Sequence, residues 1–177
     1  MNARIIFLAG VHGVGKGGLA DYLSKKLVVP NYSSSSLIES EKNKPVDSSK
    51  RVLEPTENQD FLVKAIGNLD TGKKAIILDG HFVLLTSDGY FDVPMSTFKA
   101  LSIDFIVLKT LDEGVIQKRL LLRDGEAPEI SVLQSLQARE VGRAKEVASL
   151  LKIKIMRIDT DCYDDIDLTS LSCPIKL

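Results

Sequence analysis

The sequence predicts an α/β fold in three layers, a five-stranded parallel sheet with helices on both faces. Three observations lead there. Short apolar runs recur along the 177 residues, each of the length expected for a strand covered on both sides. Stretches with helical spacing of apolar residues alternate with them, the order that builds a parallel sheet. The first run ends in a glycine-rich bend that opens directly into the first of these helices.

In chain order, the first strand is 4–9 (RIIFLA) and the first helix is 16–27, with Leu19, Tyr22, Leu23 and Leu27 on one side. Pro30 stops that pattern. Val28, Val29 and Tyr32 form a short second strand that leads into the serines at 33–36. The stretch 39–51 is polar and charged, contains Pro45, and is expected to be a mobile insertion with little structure of its own. Thr56 and Gln59 have capping-box spacing and open a helix at 57–69, whose buried stripe is Phe61, Leu62, Ala65, Ile66 and Leu69.

Asp70-Thr71-Gly72 turns into a strand at 74–79, which ends in Asp79. A loop with Asp88-Gly89 and Pro94 precedes the strand 103–108. Helices follow at 112–123 and 128–151, the second with Pro128 in its first turn. A strand at 153–158 and an acidic tail complete the order. With no repeat and no linker, residues 1–177 read as one domain.

Hydrophobic residues make up 44% and charged residues 27%, with a formal net charge of −1. This is ordinary globular composition, with no global field to draw in nucleic acid or an anionic membrane, and neither is expected as a partner. The N-terminal apolar run is too short for a signal peptide or a spanning helix, so a cytoplasmic monomer or homodimer is expected. Cys162 and Cys173 stand far from His12 and His81 in sequence and form no zinc pattern. The acidic end, Asp159 to Asp167, lacks the glycine and distal glutamate of a calcium loop.

The chemistry concentrates in Gly10-Val11-His12-Gly13-Val14-Gly15-Lys16, which fits G-x-x-x-x-G-K between a strand and a helix. Glycines let the backbone curl so that successive N–H groups point at an anion, and the helix N-terminus adds partial positive charge. Lys16 reaches the outer phosphates as a point charge. The fold class is therefore that of P-loop NTPases, with ATP and Mg²⁺ as expected cofactors. Candidate nucleotide-binding residues are Gly10, His12, Gly13, Val14, Gly15, Lys16, Gly17 and Gly18. For His12, either the ring touches phosphate or the backbone N–H alone serves.

These residues resemble the adenylate kinase-like nucleoside monophosphate kinases, whose loop reads G-x-x-G-x-G-K-G-T. Gly17 matches, while Gly18 stands where the family has threonine. The missing hydroxyl costs about one hydrogen bond to a charged group, roughly 1.5–3 kcal/mol.

Asp79 ends an apolar strand, and ligands of open α/β sheets sit beyond strand C-termini. It is thus placed to orient Mg²⁺ or its waters, or to accept a proton from an attacking hydroxyl; capping the next turn is the plainer alternative. Asp79-Gly80 matches the first two residues of the family's D-G-F-P-R segment, and Val83 replaces its phosphate-gripping arginine. His81 falls near the acceptor, as a catalytic or a structural residue.

Arg119 and Arg123 share one helix face at i, i+4, and Arg139 and Arg143 repeat the spacing. The resemblance makes 119–143 a short lid region, with Arg119 on the nucleotide and Arg123 and Arg143 on the transferring phosphoryl. On the acceptor side, Ser33 to Glu39 takes the place of S-T-G-D-x-L-R, with Glu39 where the arginine stands. The segment 33–55 is expected to be mobile, with Lys42, Lys44, Lys50 and Arg51 as its available cations.

The resemblance implies an ATP-binding phosphotransferase with Lys16, Asp79, Arg123 and Arg143 as catalytic residues. Its acceptor is a nucleotide, a nucleoside or another small hydroxyl compound. The alternative is a non-catalytic or slowly hydrolysing ATP-binding module that presents a partner surface.

Overall fold

Strand β1 (Arg4–Ala9) lies at the centre of a five-stranded parallel sheet, flanked by β3 (Ala75–Gly80) and β6 (Ile103–Lys109). The outer strands are β2 (Asn31–Ser33) beside β3 and β7 (Lys154–Ile158) beside β6, giving the order β2-β3-β1-β6-β7. The computed structural model describes residues 3–42 and 55–172.

The continuous apolar runs have the cause expected of them. Within β1, Ile5, Phe7 and Ala9 face one core while Ile6 and Leu8 face the other, and all five are buried. The second core is covered by α1 (Lys16–Leu27) through Leu19, Ala20 and Leu23. The first is covered by α3 (Pro55–Gly67), α4 (Met95–Leu101), α5 (Glu113–Asp124) and the 22-residue α6 (Ile130–Leu151). This is the three-layer P-loop NTPase fold predicted above.

Several details differ from expectation. The stretch expected to lack structure begins with helix α2 (Ser34–Lys42), and its remainder, with Lys44, Lys50 and Arg51, lies outside the described residues. Within that helix, Glu41 is buried and pairs with Lys64 of α3 at 3.1 Å, which gives this polar segment a partner to fold against. The side chain of Thr56 is not among those described, so the expected capping box has no structural counterpart to report.

The loop after β3 is no plain loop. It forms an antiparallel hairpin, β4 (Val83–Thr86) and β5 (Gly89–Asp92), then α4 after Pro94. Ser87-Asp88 forms the two-residue turn, and Gly89, at φ 110°, opens β5 opposite Thr86. Pro128 precedes α6 rather than sitting in its first turn, because Glu129 is the N-cap. A short helix, α7 (Thr169–Ser172), buries Leu171 in the second core.

Candidate functional site

The bend after β1 exists because its glycines take conformations other residues resist. Gly13 and Gly15 lie at φ 81° and 94°, and Gly15 is the N-cap of α1. Gly10 answers a different demand: a Cβ there would stand 2.4 Å from the carbonyl oxygen of Lys109 on β6. The loop therefore starts pressed against its neighbouring strand.

Lys16 folds back over this loop. Its Nζ donates to the carbonyl of Gly10 at 2.8 Å, stands 3.4 Å from His81 Nε2, and lies 3.7 Å from Asp79 Oδ1. Lys16 is only 7% exposed, and burial lowers its pKa although Asp79 and Glu140 pull the other way. Burial raises the pKa of Asp79, opposed by Lys16. The ring of His81 stacks on that of His12 with centroids 4.2 Å apart. Burial, then Lys16 and His12, hold His81 well below its usual value, so its ring is neutral.

A cavity of about 600 Å³ opens from the loop. His12, Gly13, Gly15, Lys16 and Gly17 border it at one end, with Asp79 and His81 beside Lys16. Arg119 and Arg123, one turn apart on α5, reach the same end. Arg119 donates to the carbonyl of Val14 at 3.3 Å and to Asp161 at 2.6 Å, while Arg123 pairs with its neighbour Asp124. The far half lies among α2, α3, α4 and the hairpin, where Ser34, Ile38, Asn58, Leu62, Leu84 and Phe98 form the walls.

Arg143 is not brought to this cavity. Its guanidinium donates to the carbonyl of Val93 at 2.9 Å and to Glu146, fastening the chain after the hairpin to α6. Arg139 grips Asp92 of β5 with two hydrogen bonds of 2.7 and 2.8 Å and lies over the ring of Tyr90. The second arginine pair therefore braces a roof that the sequence did not reveal, rather than joining the first. Gly18 lies on the open side of α1, with no atom within 4 Å of where its Cβ would be.

Two charged residues not expected at the site organise it. Glu140 on α6 is 1% exposed and accepts the backbone N–H groups of Gly10, Phe82 and Val83. One carboxylate thus joins the start of the glycine loop to the turn after β3. Burial raises its pKa to about 7 against the opposing pull of those hydrogen bonds. A signal for it was present: α6 buries Leu133, Leu136, Gln137, Glu140, Ala144 and Val147 at helical spacing, so Glu140 is the one charged residue on the buried stripe of that helix.

Lys109, fully buried at the end of β6, donates to the carbonyl of Thr160 at 2.9 Å and pairs with Asp161 at 3.2 Å. Burial pushes Asp161 upward, but hydrogen bonds from Arg119 and Lys109 hold it below the usual carboxylate range. The backbone after β7 is fixed in this way beside the glycine loop.

Among the described residues, no group of three or more His, Cys, Asp or Glu is arranged to hold a metal. Mg²⁺ does not require one, since it is commonly held by one or two carboxylates together with substrate phosphates. Asp79, beside Lys16 at the mouth of the glycine loop, fits that role. No described helix is long and apolar enough to cross a membrane.

A family model described as an AAA domain matches residues 9–137. A crystal structure described as a "putative kinase" from Chloroflexus aurantiacus is 15% identical, with 98% of this chain and 94% of that one covered and a TM-score of 0.51. A second, of an uncharacterized protein from Eubacterium ventriosum, is 15% identical over 97% of this chain and 95% of that one, with a TM-score of 0.48. No curated protein sequence matches this chain.

Proposed function

We propose that this chain, which belongs to the AAA domain family and has the fold of P-loop nucleotide kinase-like proteins, is a phosphotransferase that uses Mg·ATP on a small acceptor. The observation that carries the reading is the position of Lys16 and Asp79. They stand 3.7 Å apart at a cavity whose lining runs from the glycine loop to α2, α3 and α4. The part of the cavity lined by α2, α3 and α4 offers room for an acceptor beside the nucleotide, which favours transfer over binding alone.

The geometry supports a role for each residue on this reading. The loop amides and the N-terminus of α1 bind the phosphate tail. Lys16, held at the loop by its hydrogen bond to the Gly10 carbonyl, would stabilise the charge that builds up on the transferring oxygens. Arg119 steadies the nucleotide from the α5 side, and Arg123 can release Asp124 to add a second fork. Mg²⁺ would neutralise charge between the outer phosphates, with Asp79 orienting it or its waters. The half-buried Asp79 carboxylate, with its pKa raised by burial, would also take the acceptor's proton. Catalysis on this reading is mostly alignment and electrostatics.

Incubation of the purified protein with labelled ATP, Mg²⁺ and a panel of nucleosides, monophosphates and metabolites tests the reading. Transfer is expected, lost by about 10²-fold or more in Lys16→Ala and Asp79→Asn. Asp79→Asn retains ATP binding. ATP-dependent stabilisation without transfer to any acceptor favours the slowly hydrolysing module instead.

A further inference from the structure

Lys109 breaks the pattern of the strand it ends. In β6 the side chains of Phe105 and Val107 face the second core, and Lys109 follows them at the same spacing along the strand, fully buried. A charge is costly to bury unless it is paired and hydrogen-bonded, and an apolar side chain would end that row without such a cost. The partners of this cation lie beyond the strand ends. Its Nζ donates to the carbonyls of Thr160 at 2.9 Å and Thr110 at 3.4 Å, and pairs with Asp161 Oδ1 at 3.2 Å. What the lysine holds is the chain after β7, and its carboxylate in particular.

Asp161 carries that hold to the glycine loop. Its Oδ2 accepts from Arg119 Nη2 at 2.6 Å, while Nη1 of the same guanidinium donates to the carbonyl of Val14 at 3.3 Å. A Cβ on Gly15 would stand 3.0 Å from that Nη1 and 3.5 Å from Asp161 Oδ1, so both groups lie directly against the loop where α1 begins. A freely rotating arginine loses side-chain freedom when it grips a ligand, whereas one anchored beforehand has already lost it. Lys109 also offsets the repulsion between Asp161 and a phosphate held at the loop.

We propose that Lys109 and Asp161 are a positioning pair for nucleotide binding, in which the buried lysine fixes the carboxylate and the carboxylate aims Arg119 at the phosphate tail in the glycine loop. The inference rests on the reading of that loop as the ATP site and adds to it two residues that act through a third. With its surface fully covered, Lys109 reaches the nucleotide only through these neighbours.

Titration calorimetry of the full-length protein with Mg·ATP tests the pair. Asp161→Ala takes an anion away from the phosphate site, so by charge alone it tightens binding. Loss of the anchor predicts the opposite, binding weaker by about 10-fold. Added to Arg119→Ala, the same change is expected to cost no more than about twofold, because the guanidinium it holds is gone. Lys109→Met, uncharged and of similar length, is expected to weaken ATP binding by at least about threefold, and Lys109→Gln takes its place if it does not fold. Tighter or unchanged binding in Asp161→Ala, or an unchanged Kd in the Lys109 variant, overturns the inference while leaving the ATP site in place. So does a loss from Asp161→Ala that is as large without Arg119 as with it, the mark of a merely structural role. A wild-type protein that binds no Mg·ATP overturns both the inference and the reading of the loop.

Discussion

The carboxylate of Glu140 accepts the backbone N–H of Gly10, 130 residues away in sequence, at 3.1 Å. The same group receives Phe82 and Val83, so the phosphate-binding bend and the end of β3 hang from one buried anion. Its pKa is raised from 4.5 to about 7, which means the folded chain holds this proton more tightly than the unfolded one. Between those two values the folded state carries a proton that the unfolded state has released. Stability therefore falls as pH rises from 4.5 through 7, by roughly 3 kcal/mol from this group, and is level above. Denaturant unfolding at pH 5 and pH 8 measures the fall. Glu140→Gln should remove the slope while destabilising the protein by about 2 kcal/mol, because its amide sets a donor against donors.

Gly18→Thr should strengthen nucleotide binding. The position is helical, has no positive φ, and has open space around a new Cβ. A hydroxyl here supplies the hydrogen bond that the adenylate kinase-like loop makes, worth a gain of about 10-fold in ATP affinity. Isothermal titration with Mg·ATP reads it directly. The change also removes a helical glycine, so the melting temperature should not fall.

The two arginine pairs should separate by phenotype. Arg119→Ala cuts the links from α5 to Val14 and Asp161 and should weaken ATP binding by about 10-fold. Arg143→Ala frees the Val93 carbonyl beside the hairpin and should cost about 1–2 kcal/mol of stability. Its Kd for ATP should not change. Titration and thermal unfolding of both variants give the comparison.

Val28 closes α1 in the left-handed conformation, at φ 55°, with 75% of its surface exposed. A β-branched residue is strained there, and glycine is not. Val28→Gly should stabilise the protein by about 1 kcal/mol, measured by chemical denaturation. Nothing buried is lost in the exchange.

The sheet and the donor end of the cavity were legible because each rests on local signals. The β1 run, the glycine spacing and Lys16 are contiguous, and Asp79 ends an unbroken apolar strand. The hairpin was also signalled, by Asp88-Gly89 between Leu84-Leu85 and Tyr90-Phe91, yet its roofing position depends on Arg139 and Arg143. Those arginines have the same spacing as Arg119 and Arg123, and spacing alone does not say which partner a helix face meets. Glu140, Lys109 and Asp161 act through contacts between elements far apart in sequence, where no local pattern records the pairing. Asn58 is one polar residue in an amphipathic helix, and only the cavity beside it shows which way it faces.

The central place of β1 has a consequence for how the molecule is made. Strand β1 leaves the ribosome with neither edge paired, gains its first neighbour once β3 (Ala75–Gly80) has followed, and its second only after β6 (Ile103–Lys109). Glu140 emerges later still. A nascent chain that stops short of α6 carries the whole glycine motif without the carboxylate that fixes its first amide, so the bend is tied down only once α6 has been made.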